Sequence, residues 1–189
     1  MAPEVPMAER PEIDRWILSE LNTLIEQTTA AYNEYEPTRA GRMIQTFVID
    51  NLSNWHVRLS RKRFWGGEMN TDKLSAYQTL YTCLLTVSKL MAPIAPFYAD
   101  RLYADLTKGM EGMPASVHLA AYPVAGETDK NLERRMELAQ HISSMVLSLR
   151  KKEHIIVRQP LQCITVPVTD NCLREDLENV RQLILDEVN

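Results

Sequence analysis

The chain contains little glycine, little proline and no long hydrophobic run. Six glycines and ten prolines in 189 residues are too few for a disordered chain or a long flexible linker. The longest apolar run is far shorter than the ~20 residues that cross a bilayer, and no signal peptide is visible, so we expect no membrane association. With 45% hydrophobic and 24% charged residues, the composition supports one medium domain, or one domain with a small appendage.

Patterns for disulfides and metal sites are also missing. The three cysteines, Cys83, Cys163 and Cys172, are odd in number and form no C-x-x-C, which predicts a reduced, cytoplasmic protein. Cys83 lies among apolar residues and is expected in the core. The four histidines do not cluster along the sequence, so no metal site is expected.

No signature of catalysis or nucleotide binding is present. The sequence has no G-x-x-x-x-G-K-[ST], G-x-G-x-x-G, G-x-S-x-G or H-E-x-x-H motif, and its spacing marks no acid/base pair of carboxylates. The net charge of −4 argues against a generic nucleic-acid-binding protein, which is usually basic overall. A local basic site remains possible, because four of the six residues from Arg58 to Arg63 are cationic.

Apolar residues recur at helical spacing over most of the chain. Six helices are predicted: Pro11 to about residues 32–34, Pro37 continuously to Trp65, Thr71 or Asp72 to Met91, Phe97 to about Leu106, Asp129 to Lys152, and one capped by Asp170 or Asn171. The third has a stripe of Leu74, Tyr77, Tyr81, Leu84, Ser88 and Met91. We expect it to be the most buried, because Leu80, Leu85 and Val87 add a second apolar face.

The segments between these helices carry two further predictions. Residues 107–127 are typical of a loop, in which Ser116–Leu119 is expected to be extended and His118 to be packed or hydrogen-bonded. Leu161–Val168 is predicted to form a strand, in which Pro160 and Pro167 require either an edge position or the ends of the strand. The predicted fold is mainly α: a bundle of four to five helices with a small, truncated α/β appendage.

The second predicted helix carries the most informative stretch, residues 51–65. At 100° per residue Asn54, Arg58, Arg61 and Trp65 fall within about 60° of one another, beside the apolar stripe that contains Trp55. An edge with an amide, guanidiniums and an indole suits phosphates and unstacked bases. The alternative from the same residues is a solvated basic helix end, because cations near a C-terminus favour the helix dipole.

Several motifs carry a resemblance to a known family. Leu-Ser-Asn-Trp-His-Val-Arg-Leu-Ser-Arg-Lys-Arg-Phe-Trp, residues 52–65, resembles a motif in the helical anticodon-binding domain of isoleucyl-tRNA synthetases, of class Ia and the eukaryote-like subgroup. The family usually has Tyr where this chain has His56. Four other stretches are similar in family order: residues 11–22, the Met-Ala-Pro-Ile-Ala-Pro-Phe corner at 91–97, Ser-Val-His-Leu at 116–119, and Val-Arg-Gln-Pro-Leu at 157–161.

The resemblance implies a division of the chain and a partner. Residues 1–10 would be a leader, 11–127 the class Ia anticodon-binding helical bundle, and 128–189 a fifth helix leading into the truncated α/β subdomain. The full-length enzyme would be a monomer that joins isoleucine to its tRNA with ATP and Mg, through a catalytic domain of the same chain. This fragment would have no cofactor and no catalytic residue. The candidate tRNA-binding residues are Asn54, Trp55, Arg58, Arg61, Lys62, Arg63 and Trp65.

Two other classes of function remain open. A helical scaffold could bind a protein partner through a groove, with Trp16, Trp55 or Trp65 as anchors. Salt dependence separates this hypothesis from RNA binding, which weakens steeply as salt rises. An intact small enzyme is the third class, and it lacks any catalytic constellation.

Overall fold

The computed structural model describes residues 3–188; Met1 and Ala2 of the predicted leader, and Asn189, lie outside the described residues. The chain divides between Thr128 and Asp129 into two compact units. Within residues 3–188 no helix is long and apolar enough to cross a membrane. The described residues are mainly helical, which confirms the predicted fold class.

The first unit is a helical bundle built around α1 (Glu12–Asn33). Helix α1 packs against α2 (Pro37–Thr46), against a π-helical segment (Phe47–Val57) and against α4 (Thr71–Met91). Helix α4 packs in turn against α3 (Arg61–Trp65) and α5 (Pro96–Thr107). Single 3₁₀ turns lie at Met7–Glu9 and Val117–Leu119.

Helix α1 is the most buried helix of the bundle, not α4 as predicted. It buries ten residues against seven in α4, and Trp16 and Ile17 have no exposed surface. Its predicted bounds are confirmed: it starts after Pro11 and is followed by Tyr35 at φ 59°. A left-handed residue after a helix ends it, because this conformation cannot continue an α-helix.

Helix α4 buries mainly small residues, and of its two predicted apolar faces only Ser88 and Val87 are buried. Ser75, Ala76, Thr79 and Cys83 are buried, whereas Tyr77 is 45% exposed. Ser75 Oγ donates to Asp14 of α1, and Thr79 Oγ1 accepts from Arg10, so this face makes polar contacts that an apolar period does not predict. The helix is capped by Asn70, whose Oδ1 accepts from the Lys73 N–H at 2.8 Å, and not by the predicted Thr71 or Asp72.

The predicted continuous helix from Pro37 to Trp65 is interrupted twice. Residues 47–57 are π-helical, and Ser60, at φ −83° and ψ 3°, separates this segment from α3. The buried positions step from Phe47 to Leu52, a spacing of five that an α-helix does not provide. The extra residue per turn changes which side chains share an edge, so the 100° rule fails here.

The residues before α1 lie on α4. The Val5 N–H donates to Gln78 Oε1 at 2.9 Å, and Gln78 Nε2 donates to the Pro3 carbonyl at 2.9 Å. The buried Arg10 donates to Thr79 Oγ1 at 2.9 Å and to the Val5 carbonyl at 3.0 Å. Residues 3–10 therefore cover one side of the bundle.

The start of α5 agrees with the prediction, whereas the loop that follows α5 does not. Helix α5 begins at Pro96, close to the predicted start. Ser116–Leu119 is not extended: Val117–Leu119 forms a 3₁₀ turn, in which Val117 is buried and the His118 side chain is exposed. Asp100 Oδ1 holds this turn by accepting from Ser116 Oγ at 2.6 Å and from the Val117 N–H at 3.0 Å.

The second unit consists of α6 (Lys130–Lys152) packed against α7 (Asn171–Val188). Asp129 and Asp170 cap these helices, accepting from the N–H groups of Leu132 and Leu173. The predicted strand Leu161–Val168 is wrong: residues 3–188 contain no strand, and a lone strand has no neighbour to satisfy its edges. The α/β appendage is therefore, in its described part, a pair of helices and their connection.

Candidate nucleic-acid interface

Helix α3 exposes an aromatic ring and two cations. Trp65 is 84% exposed, and the Arg61 and Lys62 side chains are exposed beside it in a helix of five residues. An open depression next to them, at the junction of α3 and α4, is lined by Lys62, Gly66–Asn70 and Lys73, among others. Lys73 Nζ donates to the carbonyls of Gly66 and Gly67, so it fixes the turn after α3.

Asn54 and Arg58 are exposed at the end of the π-helical segment. The Arg58 guanidinium lies 5.9 Å from the centre of the Trp55 ring, and its Nε donates to the Asn54 carbonyl at 2.8 Å. The Asn54 side chain is exposed. The two residues lie before the break at Ser60, and Arg61 and Trp65 lie after it.

Trp55 and Arg63 are placed differently from the other candidates. Trp55 is 5% exposed, which confirms its predicted position in the core. The Arg63 side chain is 16% exposed and forms ion pairs with Asp14 and Asp72. Its Nη1 and Nη2 each donate to one oxygen of Asp14 at 2.8 Å, while Nε donates to Asp72 Oδ1 at 2.9 Å.

The Asp14 carboxylate is the centre of a buried polar cluster. In addition to Arg63, it accepts from Ser75 Oγ at 2.6 Å and is hydrogen-bonded to His56 Nε2 at 3.0 Å. Asp14 and His56 have no exposed surface. An ionised carboxylate only accepts hydrogen bonds, so His56 must carry its proton on Nε2.

The cluster changes the acidity of its two charged groups. Burial by itself raises the pKa of Asp14, but the hydrogen bonds from Arg63, His56 and Ser75 outweigh it and hold the pKa well below its usual value. For Arg63, burial by itself lowers the pKa, but the hydrogen bonds to Asp14 and Asp72 outweigh it and raise the pKa above its usual value. Both groups are therefore charged at neutral pH.

The sequence motifs did not indicate Asp14, His56 or Ser75 as partners. One signal was available for Asp14, because it occupies the same face of α1 as Ile17, Leu21 and Leu24, all of which are buried. A carboxylate on a buried helix face requires a cationic partner. Nothing in the sequence identified Arg63 as that partner, since the two residues are 49 positions apart.

Comparison with known proteins identifies the family of this bundle. Residues 14–165 match the family described as the anticodon-binding domain of tRNA ligase. The chain belongs to this family. It is 65% identical to the isoleucine–tRNA ligase of Bacteroides thetaiotaomicron and 61% identical to that of Porphyromonas gingivalis, with 98% of the chain and 16% of each relative covered. It is 36% identical to the isoleucine–tRNA ligase of Thermococcus kodakarensis, covering 98% of the chain and 17% of that relative.

The domain is a small part of each of these enzymes. The chain spans about a sixth of the length of the relatives it matches. Among the described residues no group of His, Cys, Asp and Glu side chains could hold a metal ion.

Proposed function

We propose that this domain binds the anticodon arm of isoleucine tRNA. The observation that carries the proposal is the exposed Trp65 ring beside Arg61 and Lys62, in a family described as anticodon-binding. Single-stranded loop bases stack on aromatic rings, and guanidinium and ammonium groups bind the phosphates between them. A solvated helix end would need the cations but not an indole that is 84% exposed.

The proposed contacts divide the seven candidate residues by their burial. Trp65 supplies a stacking face, Arg58, Arg61 and Lys62 contact phosphates or stack on bases, and Asn54 hydrogen-bonds a base edge. Trp55 and Arg63 support these contacts from beneath, because one is buried and the other is engaged by two carboxylates. The Arg58 guanidinium, held over the Trp55 ring, is ordered before RNA arrives.

In the full-length ligase the domain would act at a distance from the chemistry. It would hold the anticodon arm while a catalytic domain elsewhere in the same chain joins isoleucine to the acceptor end with ATP and Mg. The free thiols of Cys83, Cys163 and Cys172 suit a reducing compartment such as the cytoplasm, and the proposed mechanism needs only one copy of the chain.

The hypothesis of a protein-binding scaffold loses two of its three anchors. Trp16 has no exposed surface and Trp55 is 5% exposed, so neither indole can enter a pocket on a partner. Trp65 remains, flanked by Arg61 and Lys62. Arginine is common at protein interfaces, but lysine is depleted there, so the pair of cations suits phosphates better than a protein groove.

The test is tRNA affinity in the full-length ligase. The double variant Arg61→Ala, Trp65→Ala should weaken binding of isoleucine tRNA by at least about tenfold, with an unchanged melting temperature. The matched control is Arg101→Ala, Phe97→Ala, which also removes an exposed arginine and an exposed aromatic ring, from α5. Equal affinity of the two double variants would overturn the proposal.

Asn54→Ala should instead reduce the discrimination between isoleucine tRNA and other tRNAs.

A further inference from the structure

Helix α3 cannot be held in place by its own residues. It has five residues and no buried side chain, and helices this short are not stable alone because nucleation costs more than one turn returns. Three of its five residues, Arg61, Lys62 and Trp65, are exposed. The direction in which these side chains point must therefore be fixed by contacts that α3 makes with the rest of the bundle.

The strongest of these contacts is made by Arg63. Every N–H of its guanidinium has an acceptor: Nε on Asp72, Nη1 on Asp14 and on Ser60 Oγ at 3.2 Å, and Nη2 on Asp14 and on the Asp72 carbonyl at 3.0 Å. The planar group meets Asp14 through two parallel hydrogen bonds, a geometry that fixes orientation as well as distance. Arg63 therefore sets the rotation of α3 about its own axis.

Asp14 extends this constraint to the other elements. Its carboxylate on α1 is bonded to His56 in the π-helical segment, to Arg63 in α3 and to Ser75 in α4. Both oxygens have two partners each, so the carboxylate cannot turn without losing hydrogen bonds. One buried side chain thus joins the segment that carries Asn54 and Arg58 to the helix that carries Arg61 and Trp65.

Stability alone does not account for a buried charge at this point. Burying an ion pair costs desolvation energy that the mutual attraction often only balances, and apolar replacements can be equally stable. Helix α3 also has apolar contacts with α4, since Phe64 packs edge-on against Tyr77 with ring centres 5.2 Å apart. Tyr77 Oη also donates to the Phe64 carbonyl at 3.3 Å, and Lys73 holds the turn after α3. These contacts tie α3 to α4, whereas the two bonds from Arg63 to Asp14 tie it to α1.

We propose that Asp14 is a positioning residue for RNA binding: through Arg63 and His56 it sets the orientation of the exposed side chains on both sides of Ser60. The proposal rests on the proposed tRNA function. Asp14 itself does not touch RNA, because it has no exposed surface.

The test compares two variants that each remove one carboxylate from Arg63. Asp14→Asn keeps the volume and the acceptor oxygen but loses the charge and one of the paired bonds. The control Asp72→Asn removes the other partner, whose side chain is 49% exposed. Both are made in the full-length ligase and studied well below their melting temperatures.

Two measurements separate positioning from folding. The KM for isoleucine tRNA should rise about tenfold in Asp14→Asn, at an unchanged rate of amino-acid activation, and by less than about twofold in Asp72→Asn. The quenching of Trp65 fluorescence by iodide is obtained by subtracting the signal of the Trp65→Phe protein. This quenching should change in Asp14→Asn and not in Asp72→Asn. The triple variant Asp14→Asn, Arg61→Ala, Trp65→Ala should raise the KM for tRNA little further than the double variant Arg61→Ala, Trp65→Ala does, since the same contacts are lost.

The outcomes distinguish the two proposals. If Arg61→Ala, Trp65→Ala leaves KM for tRNA unchanged, the proposed function fails at α3. If that double variant raises KM but a folded Asp14→Asn does not, the positioning role is overturned and the tRNA function stands. Should Asp14→Asn fail to fold, Ser75→Ala and Arg63→Lys weaken the same cluster singly, and unchanged KM in both would equally refute positioning.

Discussion

Burial determines the chemistry of Cys83. Its side chain has no exposed surface, and burial raises the pKa of its thiol far above the usual value. The thiolate is the reactive form of cysteine, so Cys83 should be inert in the folded protein. Cys163 and Cys172 are exposed.

Cys83→Ser should lower the free energy of unfolding by about 1–3 kcal/mol, because a hydroxyl replaces the thiol in an apolar site. Urea titration measures the change, and Cys163→Ser is the exposed control, expected to have no effect. In a thiol-reagent assay of the unmodified protein, Cys163 and Cys172 should react at once and Cys83 only on unfolding. Rapid reaction of three thiols would contradict this.

The stability contributed by Asp14 should depend on pH in the acid range. Its pKa in the folded state lies below its ordinary value of about 3.9, so the unfolded chain takes up the proton first as pH falls. The contribution is therefore complete above about pH 5 and is lost as pH falls toward the folded pKa. Asp14→Asn should be less stable at pH 7, by up to about 3 kcal/mol, because Arg63 keeps only Asp72 as an ionised partner.

The same variant should be less sensitive to acid. Urea titrations at several pH values between about 6 and 3 should show a smaller fall in the free energy of unfolding for Asp14→Asn than for the unmodified chain. Asp105→Asn is the control, because Asp105 is 57% exposed in an ion pair with Arg101 on one helix. An equal acid dependence in Asp14→Asn and the unmodified chain would show that Asp14 has an ordinary pKa.

At the scale of elements, the sequence predicted the helices with regular periods. Helix α1 lies where its apolar positions indicated, and α5, α6 and α7 begin within one residue or so of the predicted starts. Their buried faces are mainly apolar, although α1 also buries Asp14 and α6 buries Arg150, so the period and the burial largely coincide. In α4 they do not, because its buried face includes Ser75 and Thr79, polar residues that are hydrogen-bonded to Asp14 and Arg10.

The π-helical segment could not be predicted from the same rule. The prediction uses the α-helical value of 100° per residue for residues 47–57. The wider π-helical turn instead places His56 in the core with Trp55, and Ser60, just after the segment, is buried too. Neither is apolar, and each becomes stable there through a partner: Asp14 for His56 and Arg63 for Ser60. Those partners lie on other elements, so the sequence indicated candidate residues between Asn54 and Trp65 but not the buried side chains that hold them.

The start of α4 offers a test at this scale. Asn70 Oδ1 accepts the Lys73 N–H at 2.8 Å, which satisfies one of the donors left free at a helix start. Asn70→Ala should lower the free energy of unfolding by about 1 kcal/mol, and Asn70→Asp, which keeps the acceptor, should restore it. Thermal melts of the three proteins measure the difference. Identical melting of Asn70→Ala and the unmodified chain would show that the cap is not needed.

At the scale of the whole molecule, net charge and local charge have opposite signs. The chain carries a formal charge of −4, which repels RNA at long range. The stretch from Arg58 to Lys62 is cationic and exposed at Arg58, Arg61 and Lys62. If the domain binds tRNA as proposed, affinity must come from contacts at this surface and not from a general attraction.

Salt dependence distinguishes these two sources of affinity. Each phosphate neutralised by a cation releases counterions, so losing one contact reduces the slope of log K against log salt by about 0.7 to 0.9. In the full-length ligase, Arg58→Ala, Arg61→Ala should flatten the slope for isoleucine tRNA by about 1.5 while the melting curve is nearly unchanged. The control Arg101→Ala, Lys108→Ala removes the same charge from α5 and the residue after it, away from the proposed surface. It should leave the slope as it was, since net charge acts only weakly beyond about 10 Å at 0.1 M salt. Equal flattening by both double variants would mean that the overall charge, and not this surface, governs binding, and the contacts assigned to Arg58 and Arg61 would have to be abandoned.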